Sequence, residues 1–131
     1  MKRLTKEWVQ KADNDLVVAK KIADASPPLH EAVCFHWQQC AEKYLKALLQ
    51  EAGEPVPRTH ELVTLLSLVA PHYRVAGLMR GLKFLTNFAV EVRYPPERAT
   101  KRQAAAALRW AGKVRDACCP LLGLRPPRRR K

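Results

Sequence analysis

From Cys34 to Leu49 the chain carries neither glycine nor proline, and its apolar residues keep a helical period. Cys34, Trp37, Ala41, Leu45 and Leu48 recur at spacings of 3, 4, 4 and 3, which sets them on one side of a 3.6-residue helix. His36, Gln39, Lys43 and Lys46 recur at 3, 4 and 3 on another side. A helix with one apolar stripe must pack that stripe against other helices, so this segment commits the fold to a bundle. Its polar stripe needs a separate explanation.

The flanking segments repeat the pattern. A first helix is expected from Thr5, a usable N-cap, to about Ala25, with Trp8, Ala12, Leu16 or Asp15, Ala19 and Ile22 facing inward. Ser26-Pro27-Pro28 stops it. The second opens near Pro28, since a proline tolerates a first helical turn, and Gly53 ends it. After the rigid loop Glu54-Pro55-Val56-Pro57, Thr59 caps a short third helix carrying Leu62, Leu65, Leu66 and Val69, and Pro71 closes it. The fourth runs from about Arg74 to Arg93 on Leu78, Leu82, Leu85, Ala89 and Val92, until Tyr94-Pro95-Pro96 breaks it. The fifth spans about Glu97 to Cys119 with Ala104, Ala105, Leu108, Ala111, Val114 or Arg115, and Cys118, ending at Pro120. Short links make neighbours antiparallel, so the fold class is all-α: an up-down antiparallel helical bundle of four long helices plus a short helix.

At 131 residues this is one domain, expected over 1–124, with a disordered basic tail at 125–131. No apolar run approaches the roughly 18 residues of a membrane span, and the N-terminus lacks the apolar region of a signal peptide, which points to the cytoplasm. Cys34 and Cys40 lie six apart on one helix and Cys118 and Cys119 are adjacent, so neither pair has zinc-knuckle spacing, and reduced, packed thiols are expected with no metal and no cofactor. The net charge is +12, and +7 of it remains on residues 1–124 once the five cations of the tail are set aside. Such a surface attracts nucleic acid, nucleotides or an acidic protein, or serves solubility alone.

Three polar clusters remain once the core is assigned. One is the His36, Gln39, Lys43, Lys46 stripe, with Gln38 and Glu42 beside it. The second is Arg58-Thr59-His60-Glu61. The third is Asn87, Glu91, Arg93 and Tyr94, where Asn87, Glu91 and Tyr94 share a helix face. The segments Phe35 to Leu48, Arg58-Thr59-His60-Glu61-Leu62, and Tyr73 onward to Ala89-Val90-Glu91-Val92-Arg93-Tyr94-Pro95 together resemble the HEPN domain (higher eukaryotes and prokaryotes nucleotide-binding) across roughly residues 5–120. The resemblance implies an all-α bundle, usually a homodimer, and pairing with a minimal nucleotidyltransferase in a toxin–antitoxin module. Many members of that family are metal-independent ribonucleases.

The ribonuclease subset carries an Arg followed four to six residues later by His. Arg93 has no such His, Arg58 meets His60 after one residue, and no His in the chain has an Arg at that distance upstream. Only Arg93, in its Arg-Tyr-Pro setting, matches part of the family's site. Residue chemistry nonetheless makes Arg93, Tyr94, Glu91, Asn87, His36, Gln39, Lys43 and His60 the nucleotide- or RNA-binding candidates: Arg for bidentate phosphate contact, Tyr for stacking, Lys for charge, His for acid or base work. These residues would converge if the bundle pairs helices two and four. Each also has a structural reading: helix-end ion pairs for Glu91 and Arg93, a packed imidazole for His36, a capping-region role for His60, and a solvated face for Lys43 and Lys46.

Three functions follow: partner of a minimal nucleotidyltransferase that binds nucleotide or RNA; metal-independent ribonuclease with a non-standard site, Arg93 acting with His36 or His60; or non-catalytic structural dimer. Whether the chain is an enzyme stays open at this level. A dimer is expected because Trp8, Trp37, Trp110, Phe84 and Phe88 exceed what a slim bundle must hide.

Overall fold

The structure, a computed structural model, describes residues 1–27, 29–91 and 98–124. It is all-helical over those residues: α1 Arg3–Ala23, α2 His30–Glu51, α3 Leu62–Val69, a 3-10 turn at Ala76–Leu78, α4 Met79–Glu91 and α5 Lys101–Leu121. Contacts give the direction of the first pair, because Thr5 meets Glu51 while Asp13 meets Tyr44 and Asp15 meets Lys43. Residues advancing along α1 pair with residues receding along α2, so the two helices are antiparallel. α2 is the central element, packed most extensively on α1, then on α5 and α3, and only lightly on α4.

The apolar stripe of α2 forms the middle of the core. Cys34, Trp37, Ala41, Leu45 and Leu48 are all buried, together with Leu62, Leu65, Leu66 and Val69 of α3 and Leu78, Leu82 and Leu85 around α4. Trp37 is 3% exposed, so it belongs to this core and contributes nothing to a shared outer surface. Trp8, Phe84 and Trp110 are half-buried at the core's edge; the side chain of Phe88 lies outside the described residues. On α5 the inward row is Ala104, Ala107, Ala111, Val114 and Cys118. Ala105 and Leu108, expected inside, are exposed: the buried row, with Ala107 and Val114 on one side of Ala104, is centred about 80° from Leu108 and about 140° from Ala105.

Several helix ends differ from expectation. Thr5 is buried inside α1, its hydroxyl donating to Glu51 Oε1 at 3.0 Å, and Lys2 takes the cap position without a side-chain bond. Helix α2 starts at His30, and Pro28 lies outside the described residues. Glu61, not Thr59, precedes the first residue of α3, while the Thr59 hydroxyl accepts from the Glu61 N–H just outside the helix. Arg74 and Val75 precede the 3-10 turn that leads into α4. The start of α5 is a capping box: the Thr100 hydroxyl accepts from Gln103 N at 3.1 Å, and Gln103 Oε1 accepts from Thr100 N at 2.9 Å. Pro120 does not end α5. It sits in the last turn, and Gly123, at φ +74°, makes the left-handed stop, as Gly53 at +78° does for α2.

All four cysteines are buried and reduced. Burial pushes the Cys34 thiol from its ordinary 9.0 up to about 11 and the Cys40 thiol up to about 12. Below pH 9 both are neutral whether the chain is folded or unfolded. Above it only the unfolded chain ionises them freely, so stability should fall as pH climbs from 9 through 11 to 12. Urea melts at pH 8 and pH 10.5 test this; Cys40→Ala should flatten the decline, and a decline unchanged by removing Cys34 and Cys40 contradicts it.

Candidate functional site

The inward face of α1 includes Asp15 beside Leu16, and a carboxylate placed among apolar residues must find partners. Asp15 finds two on α2. His36 Nδ1 lies 2.9 Å from Asp15 Oδ1, and Lys43 Nζ lies 2.5 Å from Oδ2. His36 and Lys43 are two helical turns apart and therefore share the face turned to α1. An ionised carboxylate only accepts, so His36 Nδ1 carries the hydrogen and donates it; in the neutral ring the lone pair is then at Nε2. The His36 and Lys43 side chains keep 25% and 22% of their surface exposed, so solvent reaches this edge.

A second group repeats the plan. Glu42, its side chain 3% exposed, accepts from Lys46 Nζ at 3.1 Å through Oε2 and meets His60 Nδ1 at 2.9 Å through Oε1. His60, in the loop before α3, is 74% exposed and has Nε2 free by the same argument. The two groups are distinct stations. Glu42 follows His36 by six residues, which is about 9 Å along α2 and about 120° around it. His36 itself and the Glu42 carboxylate that holds His60 therefore leave α2 in different directions.

A third network fastens three helices. Arg115 Nε of α5 donates to the Tyr44 hydroxyl at 3.0 Å, and that hydroxyl donates to Asp13 of α1. Burial first, and the Asp13 bond second, raise the Tyr44 phenol far above its usual range, so it stays protonated. This network is structural.

The expected residues thus divide. His36 and Lys43 are brought together, by Asp15; Gln39 is half-buried one turn from both; His60 is tied to Glu42 and Lys46. Lys46 is buried and not part of a solvated face, and His60 caps nothing. Asn87 is exposed on α4. Among the described residues the α2 stripe meets α1 and the loop before α3 rather than α4, because α2 packs chiefly on α1. Arg93 and Tyr94 lie outside the described residues, as does the Glu91 side chain. Sequence reasoning missed Asp15 and Glu42 as the organising carboxylates. For Asp15 the signal was there, a carboxylate at a position the helical period allows inside; Glu42 sits on the flank of the α2 stripe, and only its burial in the fold marks it. Among the described residues no three His, Cys, Asp or Glu side chains gather as metal ligands, and no helix is long and apolar enough to cross a membrane.

Comparison with known proteins gives three findings. The HEPN domain family matches residues 5–122. An archaeal HEPN homologue, ST0689, is similar in structure with a TM-score of 0.73 and 28% identity, over 93% of this chain and 99% of that one. TT1696 from Thermus thermophilus shares the fold with a TM-score of 0.72 at 24% identity, over 84% of this chain and 91% of that one. No curated protein is a significant match.

Proposed function

Because this chain belongs to the HEPN domain family, we propose that it is the partner of a minimal nucleotidyltransferase in a two-component, toxin–antitoxin-type module, acting as a homodimer that binds nucleotide or RNA. The observation that carries the reading is the charge: 24 Lys and Arg against 12 Asp and Glu on a HEPN bundle, a surface suited to a polyanion. Phosphate contacts release counterions, so the logarithm of RNA affinity should fall with the logarithm of salt by about 0.7 per neutralised phosphate. Fluorescence anisotropy with a labelled RNA between about 50 and 200 mM salt measures that slope, and co-purification with the product of an adjacent gene tests the partnership. RNA affinity indifferent to salt, or a chain that captures no nucleotidyltransferase, refutes the corresponding half.

The alternative of a metal-independent ribonuclease is favoured by one feature, the imidazoles of His36 and His60 held through Nδ1 with Nε2 open for proton transfer. Incubation with RNA in EDTA should then give cleavage that His36→Gln or His60→Gln abolishes; intact RNA sinks it.

A further inference from the structure

Phe35 is a large aromatic side chain left 55% exposed on α2, next to residues 33, 34 and 37, which are buried. A lone exposed phenylalanine is ordinary on any surface. This one has a built neighbour. Its ring meets the His36 ring edge-on, with centroids 5.2 Å apart and planes at 80°. The His36 ring in turn is fixed through Nδ1 by Asp15, whose other oxygen holds Lys43. The aromatic surface therefore stands against an imidazole whose orientation and free nitrogen are both set. One turn on, Gln39 lies about 40° from Phe35 and about 60° from His36 in helical angle, and its amide both donates and accepts.

We propose that Phe35, His36 and Gln39 form a site for one unpaired nucleobase of single-stranded RNA: the base stacks on Phe35, Gln39 meets its edge, and His36 Nε2 bonds its ribose hydroxyl. Stacking on an exposed aromatic with polar groups beside it is how proteins take single strands, and it needs a base that a duplex does not offer. The +12 charge supplies the attraction for the strand's phosphates. The inference rests on the nucleotide- or RNA-binding reading above and locates it at the α1–α2 surface. The competing occupant is a second copy of the chain, since Val17, Val18 and Leu29 are exposed apolar residues on the same two helices or just before them.

The test is anisotropy with a labelled single-stranded RNA 12-mer and its duplex, on the full chain and on Phe35→Ala, Phe35→Leu and Phe35→Trp, with light scattering on each. Phe35→Ala and Phe35→Leu should weaken single-strand binding about tenfold or more, Phe35→Trp should restore it, and duplex binding should not change. All three variants should melt like the parent chain, because the side chain is exposed. If Phe35→Leu binds as tightly as Phe35→Trp, or Phe35→Ala as tightly as the parent, the site is refuted while RNA binding itself stands. If Phe35→Ala dissociates a dimer and leaves affinity intact, the patch is an interface between copies and the proposal fails. A parent chain that binds no RNA overturns this inference and the RNA reading together.

Discussion

Glu42→Ala is expected to destabilise the fold by about 3–5 kcal/mol, because it strands a buried ammonium. Lys46 keeps 6% of its side-chain surface and Glu42 keeps 3%, so neither charge has water to fall back on. The Trp8 ring, 5.5 Å from Lys46 Nζ, offers only a weak substitute. His60 would lose its tether in the same variant, freeing the loop before α3. Removing both charges together should be far milder, since a buried pair replaced by apolar side chains of similar volume is often neutral. Urea denaturation of Glu42→Ala, Glu42→Leu, Lys46→Met and the Glu42→Leu/Lys46→Met double variant reads this, the last three closing a thermodynamic cycle with the parent chain. A double variant no more stable than Glu42→Ala contradicts the account.

Gly81→Ala is the second large effect. A methyl group at Gly81 would come to 2.1 Å from Trp110 Cε3, 2.6 Å from Cδ2 and 2.8 Å from Cζ3, so α4 rests directly on the face of an α5 indole. Trp110 has little freedom to step aside, being half-buried with Lys113 Nζ 4.6 Å over its ring. Overpacking at such a contact costs about 1–3 kcal/mol and displaces the ring. The expected readouts are a lower thermal midpoint and a shifted tryptophan emission. Trp110→Leu should absorb most of the clash, so the double variant should lose less than the two single losses added together. Additive losses would mean that the indole is not what Gly81 makes room for.

Core positions were the most legible part of the sequence. Trp37, Leu45, Leu65 and Leu82 could all be read as interior, because an apolar side chain at helical spacing has one favourable destination. Helix ends were less legible. Thr5 reads as a cap in isolation, yet Glu51, 46 residues away, draws its hydroxyl inside. The box at Thr100 and Gln103 carries a recognisable signature that the expected start near Glu97 obscured. Pro120 reads as a stop, but a helix accommodates proline in its last turn when Gly123 can supply the left-handed residue.

The candidate site shows the same division. His36, Gln39, Lys43 and His60 could be picked from the sequence because a polar stripe on a helix that also carries a core stripe stands out. Their grouping could not. Helical phase allows Asp15 inside and sets Lys46 one turn after Glu42, but it says nothing of His36 and Lys43 lying across from Asp15 or of His60 reaching Glu42; those depend on how α2 packs on α1 and on the loop before α3.

The sequence alone therefore determined an all-helical bundle, which rests on local periodicity, and three segments in order carried the resemblance to the HEPN family, to which the match over residues 5–122 assigns the chain. Only the tertiary structure decided that Asp15 of α1 holds His36 and Lys43 of α2, and that Glu42, beside its helical neighbour Lys46, holds His60. The reason is physical. Apolar burial is non-directional and can be read from period, whereas a hydrogen bond between elements needs two particular atoms about 3 Å apart, a distance that only the packing of those elements fixes.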